Sequence, residues 1–301
     1  MGPGRGDEPR TGAEPGTGAE PGTGRGPGSD HSPHPDHAPD PDGGPGGYGG
    51  RQQPAAPDPV LVGAAAMVFV AEPAAPQVED ADVRHLLDVL RLRPGELVAV
   101  SDGAGRWAPC RVSDAAARGS RRADATALLV PDGPVLAVPR VGPEVTIAFT
   151  PTKGDRPEWV VQKLTELGVD RVVPLRTARS VVRWEGERGD KQVERLRRVA
   201  REASAQSRRV WLPEVAAVSR LDALGDVAGG APVLADPGGG APSLDRPVVA
   251  VGPEGGWDDE ERAVVTRSVG LGPTVLRAET AAVVAGALLC ALRCSVVLPL
   301  A

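Results

Sequence analysis

Between residues 145 and 297, short apolar runs alternate with stretches of helical periodicity, and few architectures accept that alternation. Residues 145–150, 170–175, 233–235, 248–251 and 274–276 read as strands; 156–167, 191–208, 258–268 and 280–297 read as helices. Strand then helix, repeated, is the signature of a parallel sheet with helices packed on its faces. Gly168 offers a natural end to the first of these helices, and the acidic start of the third suits the helix dipole. An α/β domain is therefore expected over residues 141–301.

The preceding segment, 59–138, has a different rhythm. Runs 97–101 and 107–112 flank Asp102 and Gly103, a hairpin signal, and runs 67–70 and 126–130 add further strands. One helical stretch, 83–92, is closed by Pro94 and Gly95. Many strands at short spacing predict a small β-barrel. Asp102 to Trp107 (DGAGRW) carries the glycines of a phosphate loop but leads into a strand instead of a helix, so it reads as a turn. Residues 1–58 are dominated by Gly, Pro and acids and repeat TGAEPG; too little apolar surface is available to offset ordering, so a disordered tail is expected. The tail lacks the apolar core of a signal peptide, and the 13 apolar residues 280–292 are too few to span a bilayer. A soluble, cytoplasmic protein is expected.

Charge is distributed unevenly. The net charge of −6 is mostly the tail's, where nine acids against four Arg give −5, leaving −1 for the rest. Residues 150–211 hold 15 Lys and Arg against nine acids, the footprint a polyanion requires, although a solvated helix face would look the same. Cys110, Cys290 and Cys294 show no metal-ligand spacing, and the last two read as small core residues of a C-terminal helix. His31, His34 and His37 lie in the tail, leaving His85 alone outside it. Chemistry without a Cys nucleophile or a metal is expected.

Two segments carry that chemistry. VVAVGPEGGWDDEE at 248–261 runs a buried strand into Gly252, Pro253, Glu254, Gly255 and Gly256 and then an acidic helix start; LGPTVLRAETA follows at 271–281. Glycines here let the backbone adopt positive φ and approach a ligand, with N–H groups free to bind a carboxylate or an adenine edge. Gly255 in particular is expected at positive φ. Taken alone, such a loop is equally an ordinary strand-to-helix turn.

Together with residues 150–155 (TPTKGD), 162–169 (QKLTELGV), 177–180 (TARS), Glu194, Arg195 and 202–208 (EASAQSR), these segments resemble the ribosomal RNA small subunit methyltransferase E family of the SPOUT superfamily. His85, Leu86, 89–92 (VLRL) and 94–96 (PGE) resemble its N-terminal PUA-like barrel. The resemblance implies a trefoil-knotted domain, a homodimer, and methylation of uridine N3 in 16S rRNA of the small ribosomal subunit. It implies S-adenosylmethionine as cofactor, held by Leu234, Ala235 and Asp236, by Val251, Gly252, Pro253, Glu254, Gly255 and Gly256, and by Leu271, Gly272, Val275, Leu276 and Arg277. The loose, Gly-rich stretch 225–242 leaves the edge of the first of these loops open.

Uridine N3 is a poor nucleophile until its proton leaves, so a carboxylate and a cation are expected near it. Candidates are Glu254 and Glu279 for the proton and Arg277, Lys153 and Arg156 for the charge; Glu279 reads equally as a helix cap bracing Arg277. RNA contacts are expected from Arg91, Arg156, Lys163, Arg179, Arg183, Arg195, Arg198, Arg201, Gln206 and Arg208, several of them along one side of a helix. Trp159 and Trp211 read as core, and Trp257 as core or stacking platform. An RNA-binding factor without turnover, or a SPOUT enzyme acting on ribose or tRNA, are the competing readings.

Overall fold

The computed structural model describes residues 58–114 and 128–298. The expected tail lies outside the described residues except for Asp58, as does the start of the strand expected at 126–130. Asp58 belongs to the folded part: its carboxylate accepts the Val60 N–H at 2.8 Å and caps α1 (Pro59–Gly63).

The N-terminal part is built on one sheet of five strands, β1 (Ala66–Phe69), β2 (Leu97–Ser101), β3 (Arg106–Val112), β4 (Leu129–Pro131) and β5 (Leu136–Ala137), in the order β1-β2-β3-β4 with β5 also on β3. The expected hairpin is present, with Ser101 opposite Trp107, and the Asp102 carboxylate locks its turn by accepting the N–H groups of Ala104 (2.7 Å) and Arg106 (3.0 Å). Between β1 and β2 the chain forms α2 (Asp80–Arg84), which passes into one π-helical turn, His85–Val89. That helix begins three residues before the expected 83, its acids Asp80 and Asp82 lying in the first turn where the dipole favours them. Leu86, Val98, Val100, Cys110 and Leu128 fill the core.

The C-terminal part is a seven-stranded parallel sheet in the order β12-β10-β11-β6-β7-β8, with β9 also on β7. Its strands are β6 (Thr146–Phe149), β7 (Arg171–Arg176), β8 (Glu214–Val215), β9 (Ser219–Arg220), β10 (Val233–Gly240), β11 (Val248–Val251) and β12 (Ser268–Val269). Every residue of β6 and β11 is buried, as central parallel strands covered on both faces require. Ile147, Val172 and Val249 meet α3 (Arg156–Leu167), α4 (Gly186–Gln206) and α7 (Ala278–Arg293) on one face. Ala148, Val173 and Ala250 meet α5 (Leu224–Ala228) and the residues around α6 (Asp259–Val264) on the other. Helix α3 has the expected bounds; Val160, Val161 and Leu164 form its buried stripe, and Gly168 ends it at φ +98°.

Several expectations are corrected. Helix α6 stops at Val264 instead of 268: Val265 turns extended and buries its side chain, and the Arg267 carbonyl accepts the Leu234 N–H at 3.0 Å, so the chain joins the sheet edge as β12. No strand forms at 274–276; Val275 there is 89% exposed, and the segment lines a cleft instead. Strand β10 runs to Gly240 instead of 235, with an irregular register where it meets β12. Trp159 is 44% exposed instead of core, and Cys294 is half-buried, while Cys290 and Trp257 are core.

The two parts share an interface made by the end of α4 and the segment after it. Arg201 donates to the Phe69 carbonyl at 3.0 Å with its guanidinium 5.0 Å from the Phe69 ring centre, and Arg208 donates to the carbonyls of Ala64 (2.7 Å) and Ala65 (3.2 Å). Val210 packs with Leu61, Met67, Phe69 and Trp107, and the half-buried Trp211 donates its ring N–H to the Val138 carbonyl at 2.8 Å. The end of α4 and the residues after it are thus a docking surface for the N-terminal sheet.

Candidate active site

Beside the first half of β10 and at the C-terminal end of β11, where open parallel sheets place their ligands, three segments surround a cleft of about 240 Å³. Ala235, Asp236 and Pro237 form one wall; Val251, Gly252, Pro253, Glu254, Gly256 and Trp257 a second; Leu271, Gly272, Thr274, Val275 and Leu276 a third, which continues into Ala278 and Ala281 of α7. The first two loops are joined by Trp257, whose buried ring donates to the Ala235 carbonyl at 3.1 Å, and by an Arg262–Asp236 ion pair. The Gly256 N–H donates to the Pro253 carbonyl at 2.8 Å and closes the turn, and Asp258 and Glu261 form a reciprocal capping box that starts α6.

Most of the cofactor residues expected from sequence converge here, with exceptions. Leu234 points into the core beneath the cleft. Gly255 does not line the cleft and is not at positive φ; Gly256, at φ +71°, and Gly272, at φ +138°, are. A Cβ at either of those two would meet no atom within 4 Å, so the backbone here borders open space. Arg277 is the N-cap position of α7, exposed and outside the lining. Pro237 and Thr274 fall within the expected loop spans 234–237 and 271–277, whereas sequence reasoning left out Trp257, Ala278 and Ala281 as lining residues; the i, i+3 spacing of the two alanines at the start of a helix was the available signal.

Among the candidate acids and cations, Glu254 is exposed and lines the cleft, while Lys153 is exposed in the turn before α3. Glu279 neither caps α7 nor braces Arg277: it faces Arg156 at 3.4 Å, with its second oxygen buried and without a hydrogen-bond partner among the described residues. Burial pushes the Cys110 and Cys290 thiols up to about 11, so both are neutral at pH 7 and unsuited as nucleophiles. Among the described residues no group of three or more His, Cys, Asp or Glu could hold a metal ion.

The expected RNA contacts separate into two sets. Arg91, Arg183, Arg198 and Gln206 are exposed, and none of the three arginines forms an ion pair among the described residues. The others are engaged with protein: Arg156 with Glu279, Lys163 with Glu166, Arg195 with Asp155 and Glu158, Arg201 and Arg208 with the barrel, Arg179 with the Gly255 carbonyl.

The RNA methyltransferase domain family matches residues 140–290, and the RNA methyltransferase PUA domain family matches 78–119. The ribosomal RNA small subunit methyltransferase E of Mycobacterium tuberculosis is 38% identical over 221 residues, covering 67% of this chain and 80% of that protein. The chain belongs to the ribosomal RNA small subunit methyltransferase E family. The Bacillus subtilis member is 28% identical over 228 residues, covering 66% of this chain and 83% of its own length. Two solved structures align at 26% identity. One is the Neisseria gonorrhoeae methyltransferase E bound to S-adenosyl methionine (TM-score 0.59; 74% of this chain, 95% of that one). The other is a Legionella pneumophila methyltransferase in complex with the cofactor SAM (TM-score 0.62; 74% and 96%). The fold is accordingly a SPOUT methyltransferase domain behind a PUA domain. From β11 the chain crosses to the far side of β10 as β12, then returns past the 239–240 backbone to lay α7 against β6 and β11.

Proposed function

We propose that this methyltransferase E family member transfers a methyl group from S-adenosylmethionine to N3 of a uridine in 16S rRNA. The observation that carries the reading is the convergence of three segments, one in β10, one after β11 and one after β12, on a single cleft. The cleft suits the cofactor: its walls are apolar at Val251, Leu271, Leu276 and Ala281, and Gly256 and Gly272 leave backbone open toward a ligand. S-adenosylmethionine, when bound, supplies an electrophilic methyl sulfonium.

The chain's own residues then orient the base and manage its proton. Glu254, the carboxylate on the cleft wall, is the proposed acceptor of the N3 proton, with Arg277 and Lys153 the cations that stabilise the resulting anion. Glu279 is assigned instead to holding Arg156. N3 lies on the pairing edge, so the target uridine enters unpaired or flipped. Arg91, Arg183 and Arg198 are the proposed phosphate contacts. A homodimer is supported by the half-exposed apolar residues Val283, Val284, Ala287 and Leu288 on α7; light scattering should give twice the mass of one chain. The cytoplasm fits such a substrate, and no described helix is long and apolar enough to cross a membrane.

Transfer from labelled S-adenosylmethionine to 16S rRNA, free or in small subunits, should yield 3-methyluridine on nucleoside analysis. A methylated ribose, another base, or transfer to tRNA alone would overturn the assignment. Gly256→Val should lower cofactor affinity at least a hundredfold, because a β-branched residue resists φ +71° and would fill the cleft. Calorimetry on the folded variant checks this, and wild-type affinity would refute the site.

A further inference from the structure

We propose that Arg179 is a positioning residue of the cofactor site, holding the Gly252–Gly256 loop from behind instead of contacting RNA. The proposal rests on the reading of the cleft as a methyl-donor site. Arg179 Nη1 donates to the Gly255 carbonyl at 2.7 Å, a charge-assisted hydrogen bond. Gly255 turns away from the cleft, and a Cβ there would lie 3.5 Å from the Arg179 Cβ and Cδ. The front of the loop thus borders the cleft while its back rests on the arginine stem.

The support behind that stem is stiff. Arg179 lies in a turn in which Ser180 Oγ accepts the Thr177 N–H at 2.9 Å and lies 2.8 Å from Thr177 Oγ1, with both residues buried. The next link is Glu261. Its Oε1 accepts the Ala178 N–H at 2.8 Å, and its Oε2 accepts the Asp258 N–H at 3.1 Å. One carboxylate therefore joins the turn after β7 to the start of α6, and Arg179 joins the same turn to the loop's middle. Three glycines in five residues give that loop much conformational freedom to lose on ordering. Without the hold from Arg179 the binding-competent form is a smaller fraction of the population, and apparent affinity falls by that fraction.

The test uses the full chain with Arg179→Met and Arg179→Lys. Arg179→Met should weaken S-adenosylmethionine binding about tenfold to a hundredfold by calorimetry. It should also speed hydrogen exchange at 252–258 without cofactor, and raise KM for the cofactor while kcat at saturation stays near wild type. Arg179→Lys, which keeps a charged donor, should recover part of each. RNA affinity and its salt dependence should match wild type. Three outcomes overturn the proposal: cofactor affinity within twofold of wild type, RNA affinity and salt slope falling instead, or a general loss of melting temperature that lowers both affinities alike. Failure of wild-type protein to bind S-adenosylmethionine would instead sink the methyl-donor reading, and the exchange measurement would still judge the hold on the loop.

Discussion

Gly239→Ala is expected to destabilise the protein by about 3 kcal/mol or more and to abolish tight cofactor binding. A Cβ at Gly239 would sit 2.5 Å from the carbonyl carbon of Val269, 2.6 Å from its nitrogen and 2.7 Å from the nitrogen of Gly270. The reverse contact is as close: a Cβ on Gly270 would lie 2.8 Å from the Gly239 oxygen. All of these are main-chain atoms, so no rotamer change makes room, and the methyl must push β12 away from β10. Strand β12 leads directly into residues 271–276, one wall of the cleft, so the displacement reaches the site. For a domain of this size the melting temperature should fall by roughly 6–12 °C. Gly240→Ala is the internal comparison, since a Cβ there meets only the Ser268 oxygen at 3.9 Å. Equal melting temperatures for the two variants would refute the close crossing.

Asp170→Ala should be comparably damaging, for an electrostatic reason. Asp170 sits between Arg293, with which it forms an ion pair, and Arg209 at 3.5 Å, with side-chain exposures of 11, 7 and 13% respectively. The two guanidinium groups also brace the fold: Arg293 donates to the carbonyls of Gly168 (2.6 Å) and Pro143 (3.3 Å), and Arg209 to that of Thr165 (3.0 Å). Burial already pulls Arg209 down to about 10, and Asp170 is the first of the charges that oppose it. Removing the carboxylate leaves two buried cations without a counter-charge and orphans the Val145 N–H, which it accepts at 2.9 Å. A loss of about 3–5 kcal/mol follows, or roughly 6–20 °C in melting temperature. Glu166→Ala, which breaks the more exposed pair with Lys163, should shift it by no more than about 2 °C. A small effect for Asp170→Ala would mean that water reaches the cluster.

The basic excess over residues 150–211 shows how composition and placement differ as information. Sequence counts the charges, but it cannot say which guanidinium groups face solvent. Arg195, Arg198, Arg201 and Arg208 read alike along one helix; in the fold Arg195 is held by Glu158 at 2.9 Å, Arg201 and Arg208 clamp the N-terminal part, and of the four Arg198 alone is exposed without an ion pair among the described residues. The Gly-rich loop divides in the same way. Its position after a buried strand was legible, whereas the packing role of Gly255 depends on Arg179, 76 residues earlier, and the positive φ falls on Gly256 instead.

Sequence by itself determined the α/β class, the bounds of α3 and β11, the hairpin at Asp102 and the three segments that meet at the cleft. These follow from periodicity, turn chemistry and an ordered set of motifs, all of which act over a few neighbouring residues. The tertiary structure alone decided that residues 268–269 pair with β10 while 274–276 stay open, and that Glu279 turns to Arg156. It alone decided that Arg201 serves Phe69 across 132 residues of chain. The reason is physical: strand pairing and ion pairing are chosen by which groups the packed sheet brings within about 3–4 Å, and no local propensity encodes that distance.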